Sequence, residues 1–136
     1  GDTIKAVGHK TEIKVRLIGI DAPETSKGKR RPGQPYSRKA TKYLAGMVLN
    51  KFVEIESFGT DPYGRVLGVV YVNGKNINLE LIKAGYAEVY RGKPAKDLDM
   101  DLYWKVETEA KSAKRGMWIQ GDKYVSPRDW RRMKRK

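Results

Sequence analysis

Three charged side chains, Arg16, Asp21 and Glu24, surround the end of an apolar run that continues into a proline-containing turn. Loops at strand ends on a rigid scaffold are where binding and catalytic groups usually lie. An arginine binds phosphate through its planar guanidinium fork, and hard cations such as Ca²⁺ prefer carboxylate and carbonyl oxygens. This combination suits a site that holds a metal ion and a phosphate. A strand-end salt bridge of small energetic consequence would use the same residue types.

A second segment, Asp61-Pro-Tyr-Gly-Arg65, favours a functional site. It follows one predicted strand and opens the next. Together with Arg16 to Glu24, which reads Arg-x-x-x-x-Asp-x-Pro-Glu, it resembles the staphylococcal nuclease family, which carries both segments in this order. Gly1-Asp2-Thr3 and the run from Glu109 to Trp118 match two further parts of the family pattern. The resemblance therefore covers nearly the whole chain.

The resemblance implies a metal site and a base. Asp2 and Asp21 match the calcium-binding carboxylates of the family, and Ala22 lies where the family supplies a backbone carbonyl to the metal. Many family members carry threonine at that position, but a carbonyl ligand does not depend on the side chain. Glu24 matches the proposed general base, which would take a proton from the attacking water.

The resemblance also implies a phosphate-binding set. Arg16 and Arg65 match the arginines that hold the scissile phosphate and stabilise the transition state, and Tyr63 matches a tyrosine that contacts a substrate phosphate. Fixed positive charge aimed at the phosphate oxygens lowers the barrier to hydrolysis, because negative charge builds up there.

The chain departs from the family pattern beside this set. Pro62 stands where a basic residue is common, and Arg91 and Lys93 stand where the best-known members have tyrosines that stack on the bound base. Tyr86 and Tyr90 are close enough in sequence to substitute. Tyr90 could equally be a core residue, since tyrosine serves both roles. These departures affect base preference and leave the expected reaction unchanged.

Composition narrows the function classes. The 136 residues suit one domain, and 29 Lys and Arg against 16 Asp and Glu give a net charge of +13,. Such an excess favours a polyanionic partner, although an anionic membrane surface would also be attracted. The absence of cysteine excludes disulfides and thiol nucleophiles, and a single histidine, His9, excludes a His-rich zinc site,. A phosphodiesterase built from this chain must therefore use carboxylates, a metal and arginines.

Periodicity predicts an α+β domain. Alternating apolar residues indicate strands at Thr3–Ala6 and Thr11–Leu17, with Gly19 as a bulge, and further strands run from Phe52 and from Arg65,. The resemblance implies that these four form an OB-fold, a small β-barrel of five strands, whose first strand is missing or lies upstream. An unpaired barrel edge would invite association with another chain, although no obligate protein partner is implied.

About three helices are expected. An apolar stripe follows a Ser37 cap, a short helix follows an Asn78 cap, and a longer stripe includes Leu98 and Leu102,. Glu107 and Glu109 are expected on the polar face of that last helix, which argues against a membrane-surface helix and stable membrane association.

Two basic segments flank this domain pattern. Residues 26–35 hold four basic residues, two glycines and two prolines, which fits either a solvated loop or a basic flap over a polyanion,. We assign residues 1–127 to the nuclease-like domain and 128–136 to a basic tail with six basic residues and one acid. The tail is expected to bind nucleic acid without affecting the chemistry. Trp130 could insert into a partner or simply pack.

The resulting expectation is a Ca²⁺-dependent endonuclease that hydrolyses DNA and RNA and leaves 3′-phosphate and 5′-hydroxyl ends. The alternative is a non-catalytic nucleic-acid-binding module of the same fold, as inactive copies are in larger family members. Missing site residues would favour that alternative, and none is missing. The chain as given carries no signal peptide; a secreted or periplasmic location is the favoured one.

Overall fold

The computed structural model describes residues 2–8, 10–25 and 33–133, which form a mixed α+β domain. Gly1, His9, residues 26–32 and residues 134–136 lie outside this range, and so does most of the predicted basic loop or flap at residues 26–35. The helices of the described part are α1 (Ser37–Val48), α2 (Ile77–Lys83), α3 (Met100–Ser112) and α4 (Pro127–Arg132), with a 3₁₀ segment at Gly116–Lys123. The strands are β1 (Thr3–Gly8), β2 (Thr11–Leu17), β3 (Ile20–Asp21), β4 (Glu54–Thr60), β5 (Val66–Val72), β6 (Lys75–Asn76) and β7 (Glu88–Val89).

The main sheet has five strands, in the order β1-β2-β5-β4 with β6 paired to β5. Neighbours are antiparallel except β2 and β5, which run parallel from the Val15–Val66 pair onward. β3 and β7 form a separate antiparallel pair. The four predicted strands are all present. The two-residue strands β3, β6 and β7 were not predicted, because they are too short to show a period.

The sheet resembles an OB-fold sheet but does not close. Within the described residues, β1 and β4 end the strand order and do not pair with each other. A groove of about 970 Å³ runs across β1, the end of α1 and the start of β4. Apolar side chains remain uncovered beside it, including Val7 at 76% and Phe52 at 101% exposure. Association through this edge stays a prediction.

The β1–β2 hairpin corrects one expectation about burial. Val15 and Leu17 are fully buried, as the alternation predicted, but Ile13 is 40% exposed and Thr11 is also exposed. The first half of β2 pairs only with β1, whereas its second half also pairs with β5. The apolar alternation therefore continues into a part of the strand that the described core does not cover.

Gly19 lies in the turn between β2 and β3 rather than in a β-bulge. Its φ of +79° is in the left-handed region, and an added Cβ would lie 2.9 Å from the Tyr103 ring. Both facts require glycine. Its carbonyl accepts a hydrogen bond from the Tyr90 N–H. This turn carries the chain from the core strand β2 to Asp21.

Asn78 is not the helix cap that the sequence suggested. Asn76 caps α2, accepting a hydrogen bond from the Leu79 N–H at 2.9 Å. Asn78 is fully buried and joins three backbone groups instead. It accepts from the Val70 N–H at 3.1 Å and donates to the carbonyls of Ile18 and Gly68. The side chain thus ties α2 to β5 and to the turn that precedes Asp21.

The long helices also differ in detail from their predicted stripes. Ser37 is the first residue of α1, and Tyr36, with φ +73°, is the N-cap without a side-chain bond. In α3 the buried face includes Tyr103 and Glu107, while Leu102 is 47% exposed. Glu107 was expected on the polar face; it is buried because Arg91 neutralises it. The core is formed mainly by Val15, Leu17, Ile20, Leu44, Val70, Ile77, Leu81, Ile82, Val89 and Val106.

No helix in the described part of the chain is long and apolar enough to cross a membrane.

Candidate active site

Asp21 is the buried centre of the acidic half of the site. It ends β3, pairs with Glu88 of β7, and is 3% exposed. Arg131 of α4 binds both of its carboxylate oxygens, with Nη1 at 3.0 Å from Oδ1 and Nη2 at 2.9 Å from Oδ2. The same Nη1 donates to Glu24 Oε1 at 2.6 Å. One guanidinium therefore joins Asp21, the predicted metal ligand, to Glu24, the predicted general base.

The loop that carries Glu24 is held by Gln34, a residue that the sequence did not indicate. The Gln34 side chain accepts from the Glu24 N–H at 3.0 Å and donates to the Val125 carbonyl. The Gln34 backbone N–H also donates to the Glu24 carbonyl at 2.8 Å. Gln34 is 4% exposed. Its amide thus fixes both Glu24 and the segment leading into α4.

Arg16 and Asp2 form the first part of the basic half. Arg16 lies opposite Thr3 in the β1–β2 ladder, and its Nη2 lies 3.3 Å from Asp2 Oδ2. Arg16 Nη1 donates to the Leu17 carbonyl at 3.1 Å. Its guanidinium lies over the half-buried Tyr90 ring, 5.8 Å from the centroid. Tyr90, which the sequence left between core and site, therefore lines the site beside Arg16.

Arg65 is held by the turn that precedes β5. Asp61 Oδ1 accepts from the backbone N–H groups of Tyr63 and Arg65, both at 2.9 Å. Asp61 Oδ2 accepts from Arg65 Nε at 2.7 Å. Burial alone would raise the pKa of Asp61, but these hydrogen bonds from Arg65 and Tyr63 and the Arg65 charge lower it. Asp61 therefore stays ionised and orients the guanidinium.

A chain of contacts joins the two arginines. Arg65 Nη1 donates to Thr3 Oγ1 at 3.1 Å, and Thr3 Oγ1 lies 3.4 Å from Asp2 Oδ1. Asp2 in turn pairs with Arg16. Arg16, Arg65 and Asp2 are thus brought together at one end of the sheet, where β1 begins and β5 starts. In this arrangement Asp2 pairs with an arginine, and its predicted role as a metal ligand stays a prediction.

The remaining predicted residues are Ala22 and Tyr63. Ala22 is 4% exposed between Asp21 and Pro23, while Tyr63 is 85% exposed with its ring centroid 6.0 Å from the Arg65 guanidinium. Among the residues that the structure describes, no three His, Cys, Asp or Glu side chains cluster as a metal site would. The expected set of two carboxylates and one carbonyl is smaller than such a cluster.

A network of ion pairs around the buried Glu88 and Glu107 lies next to Asp21, which pairs with Glu88 across β3 and β7. Glu107 accepts two hydrogen bonds from Arg91, at 2.7 and 2.8 Å, and one from the Val89 N–H. Burial opposes ionisation of Glu107, but these bonds lower its pKa overall. Burial raises the pKa of Glu88 against the effects of Arg91 and of the Tyr124 hydroxyl, which donates at 2.9 Å. Arg91, which stands where the resemblance implied a base-stacking tyrosine, is an exposed residue whose guanidinium pairs with the buried carboxylates of Glu107 and Glu88.

The basic tail was expected to bind nucleic acid without affecting the chemistry, and the structure places one of its arginines against two predicted site residues. Residues 127–132 form α4, and Arg131 reaches Asp21 and Glu24 across 110 and 107 residues of sequence. Trp130 is half-buried. Ser126-Pro127, a cap followed by proline at the first helical position, could have indicated α4. No sequence signal indicates which carboxylates its arginines would meet.

Comparisons with known proteins match most of the chain. The family model described as "Staphylococcal nuclease homologue" matches residues 14–120, which include every site residue predicted from the sequence except Asp2. A "Probable endonuclease" of Komagataella phaffii is 41% identical over 113 residues, covering 78% of this chain and 49% of that protein. Another from Pyricularia oryzae is 38% identical over 133 residues, covering 93% of this chain and 51% of that protein.

A bacterial relative matches more of its own length. An "Uncharacterized endonuclease" of Escherichia coli is 36% identical over 136 residues, covering 98% of this chain and 80% of that protein. The chain spans about half the length of the fungal relatives that it matches. Because the family model matches residues 14–120 and the Escherichia coli relative is 36% identical over 98% of this chain, the chain belongs to the staphylococcal nuclease homologue family.

Proposed function

We propose that this chain is a Ca²⁺-dependent nuclease that hydrolyses phosphodiester bonds in DNA and RNA. The observation that carries the proposal is the convergence of Asp21 and Glu24 on a single cationic group, Arg131 Nη1. Two oriented arginines are held by carboxylates of their own: Arg16 on β2 pairs with Asp2, and Arg65, just before β5, pairs with Asp61. Two carboxylates and two oriented arginines are what phosphoryl chemistry uses. A structural ion pair would need only one residue of each sign. The relatives named as endonucleases support the nuclease part of this proposal.

The carboxylates fit a calcium ion. Asp21, an expected metal ligand, offers only oxygen donors, which hard cations prefer, and its oxygens together with one of Glu24, the expected base, already surround one positively charged group,. The carbonyl of Ala22, in the chain between them, adds a candidate donor. Calcium, when bound, would supply positive charge to the phosphate and polarise the attacking water.

The protein side chains would divide the remaining work. Arg16 and Arg65 would bind the phosphate oxygens, since both guanidiniums are held in place by carboxylates and Arg65 Nη2 makes no hydrogen bond among the described residues. Glu24 would accept a proton from the attacking water while the oxygen of that water bonds to phosphorus. The bond from phosphorus to the 5′ oxygen then breaks, and that oxygen takes a proton from solvent. The products are a 3′-phosphate and a 5′-hydroxyl.

A basic approach path leads toward this site. The first turns of α1 place Arg38, Lys39 and Lys42 along a cleft of about 860 Å³ that begins at Thr25, next to Glu24. With a net charge of +13, the surface attracts polyanions, and phosphate contacts of this kind give affinity without sequence preference,. Broad action on DNA and RNA is the activity that such contacts support.

A plasmid-nicking assay with Ca²⁺, Mg²⁺ or EDTA tests the proposal. Cleavage should occur with Ca²⁺ and cease in EDTA, while Mg²⁺, which needs tighter octahedral geometry, should support less turnover. Glu24→Gln should lose activity, and Glu12→Gln, an exposed carboxylate on β2, should not. Full activity in EDTA would contradict the metal assignment.

A second candidate function is nucleic-acid binding without cleavage. Arg131 neutralises both Asp21 and Glu24, and a site held permanently in that state would bind a polyanion but not hydrolyse it. A labelled oligonucleotide that shifts in a gel with the protein, yet stays intact at every Ca²⁺ concentration, would identify this function.

A further inference from the structure

At the contact between α4 and the two carboxylates of Asp21 and Glu24, a positively charged group occupies the position that a metal cation would take. Arg131 occupies both oxygens of Asp21 and one of Glu24, at distances between 2.6 and 3.0 Å. The Asp21 side chain is only 4% exposed, while that of Arg131 is 38% exposed. An arginine guanidinium is charged at any working pH, so this contact places a fixed positive charge between the two carboxylates,.

The segment that carries Arg131 is attached to the same loop by other groups. Gln34 bonds both the Glu24 N–H and the Val125 carbonyl, just before α4. Ser126 caps the helix by accepting from the Asp129 N–H at 3.0 Å, and Pro127 is buried. α4 is thus anchored at its start, and Arg131 lies on its last turn. The helix could lift its last turn while Gln34 keeps its start in place.

A calcium ion and this guanidinium would compete for Asp21. Both of the Asp21 oxygens that would bind the metal already accept from Arg131, and although each has a second lone pair, a second positive charge beside them would be repelled,. Binding of a metal cation would therefore favour the release of Arg131. Conversely, pairing with Arg131 weakens calcium binding. The apparent calcium affinity equals the intrinsic affinity multiplied by the fraction of molecules in which Arg131 has left the site.

We propose that Arg131 is an internal occupant of the cation position and that α4 is a strap released when calcium binds. This inference rests on the proposed function, because it needs Asp21 to be a metal ligand. Release would turn the guanidinium of Arg131 outward, beside Arg128 and Arg132 on the same helix. These side chains would then be free for a polyanion. By linkage, nucleic acid that binds the released helix should in turn raise the affinity for calcium.

Calorimetric titration with CaCl₂ tests the competition. Arg131→Gln removes the charged fork and should raise the calcium affinity about tenfold, as expected for losing a partly exposed charge-assisted bridge. Arg132→Gln is the matched control, because it removes the same charge from the same helix and Arg132 makes no ion pair among the described residues. Equal gains in both variants would reduce the effect to net charge and overturn the proposal.

A mobility measurement tests the release. The chain has no cysteine, so Met133→Cys, an exposed position at the end of α4, accepts a single fluorophore. Its anisotropy should fall when CaCl₂ is added to the wild-type background and should already be low in the Arg131→Gln background. Anisotropy that stays high in both would overturn the strap.

The outcomes separate this inference from the proposed function. If Arg131→Gln binds calcium no more tightly than the wild type while Ca²⁺-dependent cleavage persists, the strap is wrong and the nuclease proposal stands. If Arg131→Gln loses cleavage without a change in calcium affinity, Arg131 acts in catalysis and the strap is again wrong. If neither protein binds calcium, the metal assignment fails together with the strap.

Discussion

Replacing Asn78 tests how far the stability of the fold and the position of Asp21 depend on the buried contacts that join α2 to β5 and to the turn before Asp21. Asn78→Ala removes three hydrogen bonds inside the core, to Val70, Ile18 and Gly68. The Gly68 carbonyl keeps the Ile18 N–H as a donor at 3.1 Å, but the Val70 N–H and the Ile18 carbonyl each lose this partner. A buried backbone group left without a partner costs about 1–3 kcal/mol.

Two such groups, with the small cavity left by the amide, give a loss of about 3–5 kcal/mol in the free energy of unfolding. This is a large share of the 5–15 kcal/mol that is typical of a domain. Urea denaturation of the wild type and the variant, followed by circular dichroism, measures it. The Ile18 carbonyl precedes the turn to Asp21, so calcium affinity should fall as well.

Asn76→Ala is the matched control two residues earlier. Asn76 caps α2 from a partly buried position, and losing a cap costs about 1 kcal/mol,. The expected order is therefore a large loss for Asn78→Ala and a small one for Asn76→Ala. Equal losses, or the reverse order, would refute the interpretation that Asn78 joins β5 to the turn before the site.

Two further predictions concern catalysis and pH. Arg65→Lys keeps the charge but cannot bond Asp61 and Thr3 while holding a phosphate, so kcat in the nicking assay should fall on the order of 10²-fold; an unchanged rate would make Arg65 structural,. Glu107→Gln should lower the free energy of unfolding near neutral pH by about 3 kcal/mol, whereas Glu109→Gln, exposed on the same helix, should change it little,. Because the folded pKa of Glu107 is lowered, its contribution is present above the unfolded value of 4.5 and is lost as pH falls through the folded value,. The urea midpoints of wild type and Glu107→Gln should therefore converge in acid, and a gap that widens there would contradict the assignment.

The local parts of the site were predictable because short-range chemistry determines them. The Asp61–Arg65 turn needs an aspartate that accepts from the backbone two and four residues later, and this is what the structure has,. Arg16 lies on a strand with a clear alternation, so its place at the strand end follows from the period. Both features depend on residues that are neighbours in sequence or in one hairpin.

The rest of the site depends on long-range pairing, which residue patterns do not encode. Glu107 reads as a surface residue until Arg91 from another element neutralises it. Asn78 was predicted to cap a helix, and only the position of β5 shows that its amide is used inside the core while Asn76 caps α2. Gln34 is an ordinary polar residue in the sequence, and its role appears only where Glu24 and Val125 meet it.

The sequence distance spanned by Arg131 has a consequence for the order of folding. The β1–β2 hairpin closes over a few residues, whereas the contact from Asp21 to Arg131 closes a loop of more than a hundred. Closing a longer loop costs more chain entropy, so the arginine pair of Arg16 and Arg65 should assemble before the acidic pair is covered. Each molecule would then pass through a stage in which Asp21 and Glu24 face solvent without their guanidinium. During that stage a metal ion would meet no competitor, and the concentration of calcium around the folding chain would decide which cation Asp21 first acquires.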